Sequence, residues 1–309
     1  MAGTASKPTI TVPATASSTA AYAAALSAYT RVLWRHARAI DERGDAATVH
    51  GFRVALRALR SLFKAAKDFF DEAPRAHFQA EFTWLSQRSA PVRDLDVLCA
   101  ALPGYLAGVA ESAQRLESGL VPVLAATRAS YYADLRTALH SARYRRLVKD
   151  WQAALATLRT ASDKVPTIGT HVHRALARRG RAILRFRRRQ LAQPEFLHAF
   201  RKHCKRLRYL LEAFQTLFEP EQLQATLKAC REVQTVCGER WDLEVHAALL
   251  ASLAPRVRPP LAAADLSALM NALTIARESR STLAMNASKD FQRNLSLPDL
   301  CIPPEDARS

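Results

Sequence analysis

Shifted by 148 residues, the chain aligns with itself: residues 49–97 fall on residues 197–245 without a gap. Eleven of those 49 pairs are identical, among them His50/His198, Phe52/Phe200, Arg53/Arg201, Leu59/Leu207, Arg60/Arg208, Asp94/Asp242 and Leu95/Leu243. The identities gather at the two ends of the window, so they form two motifs held at a fixed separation. A fold that contains both copies must build the same local structure twice. The chain is therefore read as a tandem duplication of roughly 145 residues, with its boundary near 161–166.

The local structure is helical. From about Ala20 to Arg293 apolar residues recur at helical spacing, Gly is scarce at 9 residues, and no stretch alternates long enough to predict a strand. Proline at Pro74, Pro91, Pro103, Pro166, Pro194, Pro220 and Pro259–Pro260 marks expected helix boundaries, and Pro122 an expected kink or end. Residues 1–18, almost all Ala, Thr, Ser and Pro, are expected to be a disordered leader, and residues 297–309 an irregular tail. An all-α architecture follows, with one helical bundle from each half.

The first motif is His50, Arg53, Arg57, Arg60, repeated as His198, Arg201, Lys205, Arg208. Positions i, i+3, i+7 and i+10 lie within roughly 80° of arc on a helix, so each set forms one basic stripe about 15 Å long. Lys64 extends the first stripe by a turn; its counterpart is Glu212. The apolar face of each helix (Phe52, Leu56, Leu59 and Phe63; Phe200, Leu207 and Leu211) borders its stripe, which places the charge at the flank of the core. A single basic stripe is ordinarily a solvated face. Two copies at one offset, each led by a histidine and each repelling itself, point instead to an anion-binding groove.

The second motif is Asp94-Leu95-Asp96, repeated as Asp242-Leu243-Glu244. Acids two residues apart point about 200° apart on a helix and cannot easily share a metal. They are expected to support the stripe arginines from behind. No metal or cofactor site is expected. Further candidates for the groove wall are Arg136, His140 and Arg143, and Arg178, Arg181 and Arg185 from a segment (171–208) with 13 Arg or Lys and one acid. Arg31, Arg35 and Arg38 lie opposite the core stripe of their helix and read as surface.

Charge narrows the partner. Lys plus Arg number 45 against 28 acids, a formal charge of +17, which is seldom kept without a polyanion. Polyphosphate, nucleic acid or an anionic surface would each serve. The longest apolar stretch, 99–110, is too short to span a bilayer, and no secretory signal is expected. Five cysteines without a C-x-x-C pair favour free thiols and a cytoplasmic location. No phosphate-cradling glycine loop or activated nucleophile occurs, so catalysis is not expected.

The segments VHGFRVALRALRSLFK, LHAFRKHCKRLRYLLE, RDLDVL and LHSARYRRL resemble the CHAD family, the conserved histidine α-helical domain, over residues 20–295. The resemblance implies two four-helix bundles, about 20–163 and 166–295, related by a pseudo-twofold axis around a basic groove. It also implies non-catalytic binding of inorganic polyphosphate and association with polyphosphate granules. The implied anion-binding positions are His50, Arg53, Arg57, Arg60, His198, Arg201, Lys205 and Arg208. No E-x-E-x-K signature of the triphosphate-hydrolysing domain fused to some members is present. The alternative is sequence-independent nucleic-acid binding. The stripes offer few rings for stacking, Tyr209 alone lying close. If protonated histidines take part, binding is expected to tighten as pH falls towards 6.

Overall fold

A computed structural model describes residues 8, 10–161, 166–187 and 189–295. The helices are α1 (Ser18–Glu42), α2 (Ala46–Ala65), α3 (Glu72–Ala107), α4 (Ala110–His140), α5 (Ala142–Thr160), α6 (Ile168–Leu184), α7 (Pro194–Ala213), α8 (Pro220–Leu253) and α9 (Ala263–Asn294). No strand occurs among the described residues. The all-α expectation holds.

The helices that carry the motifs obey the 148-residue offset to the residue. Ala46–Ala65 maps onto Pro194–Ala213, the short 3-10 turn Lys67–Phe69 maps onto Gln215–Leu217, and α3 and α8 begin at Glu72 and Pro220. Their starts are built differently. The Asp45 carboxylate caps α2 by accepting the Thr48 amide at 2.7 Å, and Gly44 at φ +61° turns the chain into that cap. In the second half, Pro194 and Pro220 open α7 and α8, where the missing N–H is not needed.

The halves are not equal bundles. Among the described residues five helices precede the boundary and four follow it, with α5 as the addition. Nor does the core divide between them. The larger hydrophobic cluster joins α1, α2, α5, α6 and α7 with the near ends of the long helices. Trp151 sits in it with ring centroids 4.9–5.4 Å from Phe63, Phe78 and Phe82. The smaller cluster, around Leu95, Leu98, Leu120, Leu250 and Leu269, is made where the α3–α4 hairpin meets the α8–α9 hairpin.

Two expectations are corrected. Pro91 and Pro103 lie inside α3, not at boundaries, and Pro122 does not end α4. Each costs about 3 kcal/mol and a backbone hydrogen bond. Helix α3 continues because it buries Phe78, Phe82, Leu85 and Val92 in one cluster and Leu95, Leu98 and Leu102 in the other. The leader is also tied down from residue 10 onward. Ile10 is buried, the amides of Ile168 and Gly169 donate to Ala16 O (2.8 Å) and Ala14 O (2.9 Å), and α1 begins at Ser18. The tail expected at 297–309 lies outside the described residues. Among those described, no helix is long and apolar enough to cross a membrane.

Candidate anion-binding groove

Helices α2 and α7 pack against each other with Phe52, Leu56 and Leu59 and with Phe200, Cys204 and Leu207 buried. Their basic edges line two cavities, of about 690 and 510 Å³, which share Arg57, Lys205 and Tyr209. Arg57 and Lys205 are equivalent at the 148-residue offset, so the two stripes meet at their centres. The first cavity is also lined by His36, His50, Arg93, Arg201, Arg208 and Arg231, and the second by Arg60, Lys64, Lys67, Arg75, Lys202 and Arg206. Among the described residues no carboxylate lines either one.

Seven of the nine residues predicted for the stripes therefore come together: His50, Arg57, Arg60, Lys64, Arg201, Lys205 and Arg208. Arg53 and His198 do not line the groove, and the facing helix explains both. Arg53 turns its guanidinium to α3, donating to Ser86 O (3.1 Å) and Ser89 Oγ (3.2 Å). The counterpart of Ser89 in α8 is Cys237, a far poorer acceptor, and Arg201 faces the cavity instead. His198 lies against the Trp241 ring, centroids 4.5 Å apart. The position equivalent to Trp241 is Arg93, so His50 meets a cation where its copy meets an indole.

The acidic motif divides in two. Asp94 and Asp242 stand in the field of the groove arginines. Burial raises both carboxyl pKa values, opposed by Arg53, Arg57 and Arg93 for Asp94 and first by Arg201 for Asp242. Asp96 and Glu244 do not support the stripes. Asp96 accepts from Arg128 Nε at 2.7 Å and from Tyr132 Oη at 2.8 Å, both on α4, while Glu244 pairs with Arg240 on its own helix at 2.7 Å. A spacing of two turns the second acid of each pair away from the groove.

The outlying wall candidates are also corrected. Arg136 donates to Ile40 O, His140 meets Asp41 at 2.8 Å, and Arg143 holds Glu81 bidentately while covering Trp84. Local carboxylates and carbonyls occupy them. Arg178, Arg181 and Arg185 are exposed and line neither cavity. From the same helix Arg179, half-buried, adds to the effect of Arg206 and burial in lowering the pKa of Lys64, and to that of burial and Arg206 in lowering the pKa of His203. His36, Lys67, Arg75, Lys202, Arg206 and Arg231 were not singled out from sequence. They come from four helices and the turn after α2, and only Lys202 and Arg206, flanking Lys205, carried a local signal.

The groove stores repulsion. Burial, then Arg57, Arg201, Arg208 and Arg53, lower the Lys205 pKa to about 6. Burial, then Arg93, Arg57 and Arg53, lower that of His50 to about 4. Burial followed by Arg57 brings Arg53 to about 10. His50 is thus neutral in the empty groove at neutral pH, and the group placed to change charge near pH 6 is Lys205. Three of the lining cations are compensated at the rim: Arg208 donates to Gln234 Oε1 (3.0 Å) and to the buried Glu212 (3.1 Å) and lies over the Tyr209 ring, Arg231 stands 3.8 Å from the same glutamate, and Lys67 is 3.7 Å from Asp68. An anion entering here would restore the missing charge, with arginine forks for its oxygens and Lys205 as a point charge. Among the described residues no cluster of His, Cys, Asp and Glu is placed to hold a metal ion.

The fold is shared with known proteins. The CHAD domain family model matches residues 24–251. The crystal structure of the CHAD domain from the plant Ricinus communis superposes with a TM-score of 0.77 at 25% identity, covering 95% of this chain and 98% of that one. PptA from Streptomyces chartreusis shares the fold with a TM-score of 0.67 at 17% identity, covering 90% and 100%. No functionally curated protein matches the sequence. With a match over most of its helical body and the repeated His/Arg motif at the centre of it, the chain belongs to the CHAD domain family.

Proposed function

We propose that this protein binds inorganic polyphosphate in the groove between α2 and α7, without catalysing its turnover, and thereby associates with polyphosphate granules in the cytoplasm. The observation that carries this reading is the pair of adjoining cavities lined by arginine and lysine from both repeats, with no carboxylate on their walls among the described residues. Desolvated cations without counter-charges are costly to fold, and a flexible chain of phosphates supplies negative charge at each unit. The two cavities meet at Arg57, Lys205 and Tyr209, so one linear ligand can touch both stripes. The family in general supports polyphosphate over other polyanions. The tyrosine and phenylalanine rings on the walls, Tyr29, Phe63, Phe82 and Tyr209, are all buried, and Arg208 covers the face of Tyr209, so they offer little for bases to stack on.

Competitive titration at physiological salt, with long-chain polyphosphate against single-stranded RNA and duplex DNA, tests the reading. Polyphosphate should win, and an Arg57→Ala, Arg201→Ala, Lys205→Ala triple variant should lose at least about 100-fold in affinity while keeping its helical circular dichroism. Equal affinity for all three polyanions, or a folded triple variant that binds like wild type, would reduce the groove to generic positive surface. Polyphosphate of unchanged length after incubation with the protein and Mg²⁺ is the expected result for a binder. Shortening would make it a hydrolase.

A further inference from the structure

The groove is not the last unpaired positive charge on the molecule. Arg31, Arg35 and Arg38 on α1, with Arg43 just past its end, are exposed and border a recess of about 470 Å³ together with Trp34 and Glu42. None of the four arginines has an ion-pair partner among the described residues. The nearby Asp41 is taken by His140, and Glu42 makes no bridge. This differs from the α4–α5 side, where Arg143 is matched to Glu81. Arginines at i, i+4 and i+7 on one helix repel each other, and a single glutamate does not offset them.

The strip adjoins the groove. Val32 and His36, on the neighbouring face of the same helix, line the first cavity. At 100° per residue Arg35 follows Val32 around the helix by about 60°, with Arg31 and Arg38 beyond it. The fields of Arg35 and Arg43 reach into the groove, where they help burial lower the pKa of His36. From Arg31 to Arg43 the strip runs about 18 Å along the helix direction.

Resting on the polyphosphate reading above, we propose that Arg31, Arg35, Arg38 and Arg43 form a second anion-binding strip. It takes the segment of a polyphosphate chain that leaves the groove past His36, so that long chains are held at two places and short ones at one. The strip selects for length. Its ligand is the same polyanion rather than a nucleic-acid strand, because the strip lies on the helix that carries His36 into the groove and Trp34 is the only ring bordering the recess among the described residues.

The test compares wild type with Arg31→Ala, Arg35→Ala, Arg38→Ala and with the charge-reversed Arg31→Glu, Arg35→Glu, Arg38→Glu, in the full chain. All three sites are exposed, so both variants should fold, and circular dichroism checks this. Dissociation constants are measured for a short polyphosphate that fits within the groove and for a long one, across a salt series. Short-chain affinity should stay within about 2-fold in the alanine variant. Long-chain affinity should fall about 10-fold or more, further on charge reversal, because a linked second contact is lost. The long-chain salt dependence should become shallower by about 2, three contacts at roughly 0.7 each. Unchanged long-chain affinity, or an equal fall for both lengths, overturns the strip while leaving the groove in place. So does a loss confined to RNA. A wild-type protein that binds neither length overturns the groove reading, and the strip with it.

Discussion

The groove and the distal four-helix contact are built from the same residue types with opposite accounts of charge. At the distal end, Arg128 reaches the buried Asp96 at 2.7 Å, with Tyr132 donating to its other oxygen. There Arg115 holds Asp265 through two bonds of 2.7 Å and Ser112 adds a third at 2.6 Å. These bonds hold the Asp265 carboxyl at about 2. In the groove, Arg57, Arg201 and Lys205 face one another with no carboxylate on the wall among the described residues. Matched charge marks where this protein is being held together. On the proposed reading, unmatched charge marks where it takes its ligand.

If that contrast is right, importing a carboxylate into the groove should have the largest effect. Arg57→Glu places it where both cavities meet and should weaken polyphosphate binding by more than about 100-fold with folding intact, read by titration calorimetry. Asp96→Ala should do the reverse. It leaves Arg128 and Tyr132 facing a lost partner and should cost about 2 kcal/mol in urea unfolding with polyphosphate affinity unchanged. Weaker binding in that variant would break the separation between the two regions.

The pH dependence sharpens the comparison further. Lys205 titrates at about 6 in the empty groove, and a bound anion raises that value, so binding above pH 6 takes up a proton. Affinity should therefore increase as pH falls from the bound-state value towards 6, by at most about 10-fold per unit, and level off below it. This relocates the expected histidine effect, since His50 lies at about 4. Calorimetry in buffers of different ionisation enthalpy counts the proton, and Lys205→Arg should abolish it. In stability the sign is opposite. A lysine whose folded pKa lies below its unfolded value destabilises the fold increasingly as pH falls from about 10 to 6. Lys205→Met should raise stability by about 1 kcal/mol at pH 7 as it weakens binding. A loss of stability there would deny that the groove is strained. The smallest effect separates the two copies of the motif: His198→Ala, behind Trp241, should change affinity less than about 2-fold, whereas His50→Ala should cost several-fold. Equal losses would mean that both histidines reach the ligand.

Much of this was legible in sequence because it depends on intervals along the chain. Helical periodicity and scarce glycine implied the all-α class. The 148-residue offset located two equivalent helices whose boundaries agree to the residue, and spacing placed seven basic residues on edges that converge. The prolines misled at Pro91 and Pro103, where burial on two sides of α3 outweighs a local penalty.

Other features were decided only in three dimensions, because they depend on what stands opposite. Arg53 and Arg201 are the same residue at the same motif position. One is tied to α3 through Ser86 O and Ser89, and the other, with Cys237 at the position of Ser89, faces the groove. His50 and His198 part company over Arg93 and Trp241 in the same way. Arg75 and Arg231 join the groove from α3 and α8, at positions with no motif to announce them. Periodicity along a helix determines which face a side chain is on. Whether that face meets a ligand, a carboxylate or a ring is determined by the neighbouring helix, and that neighbour is chosen by packing.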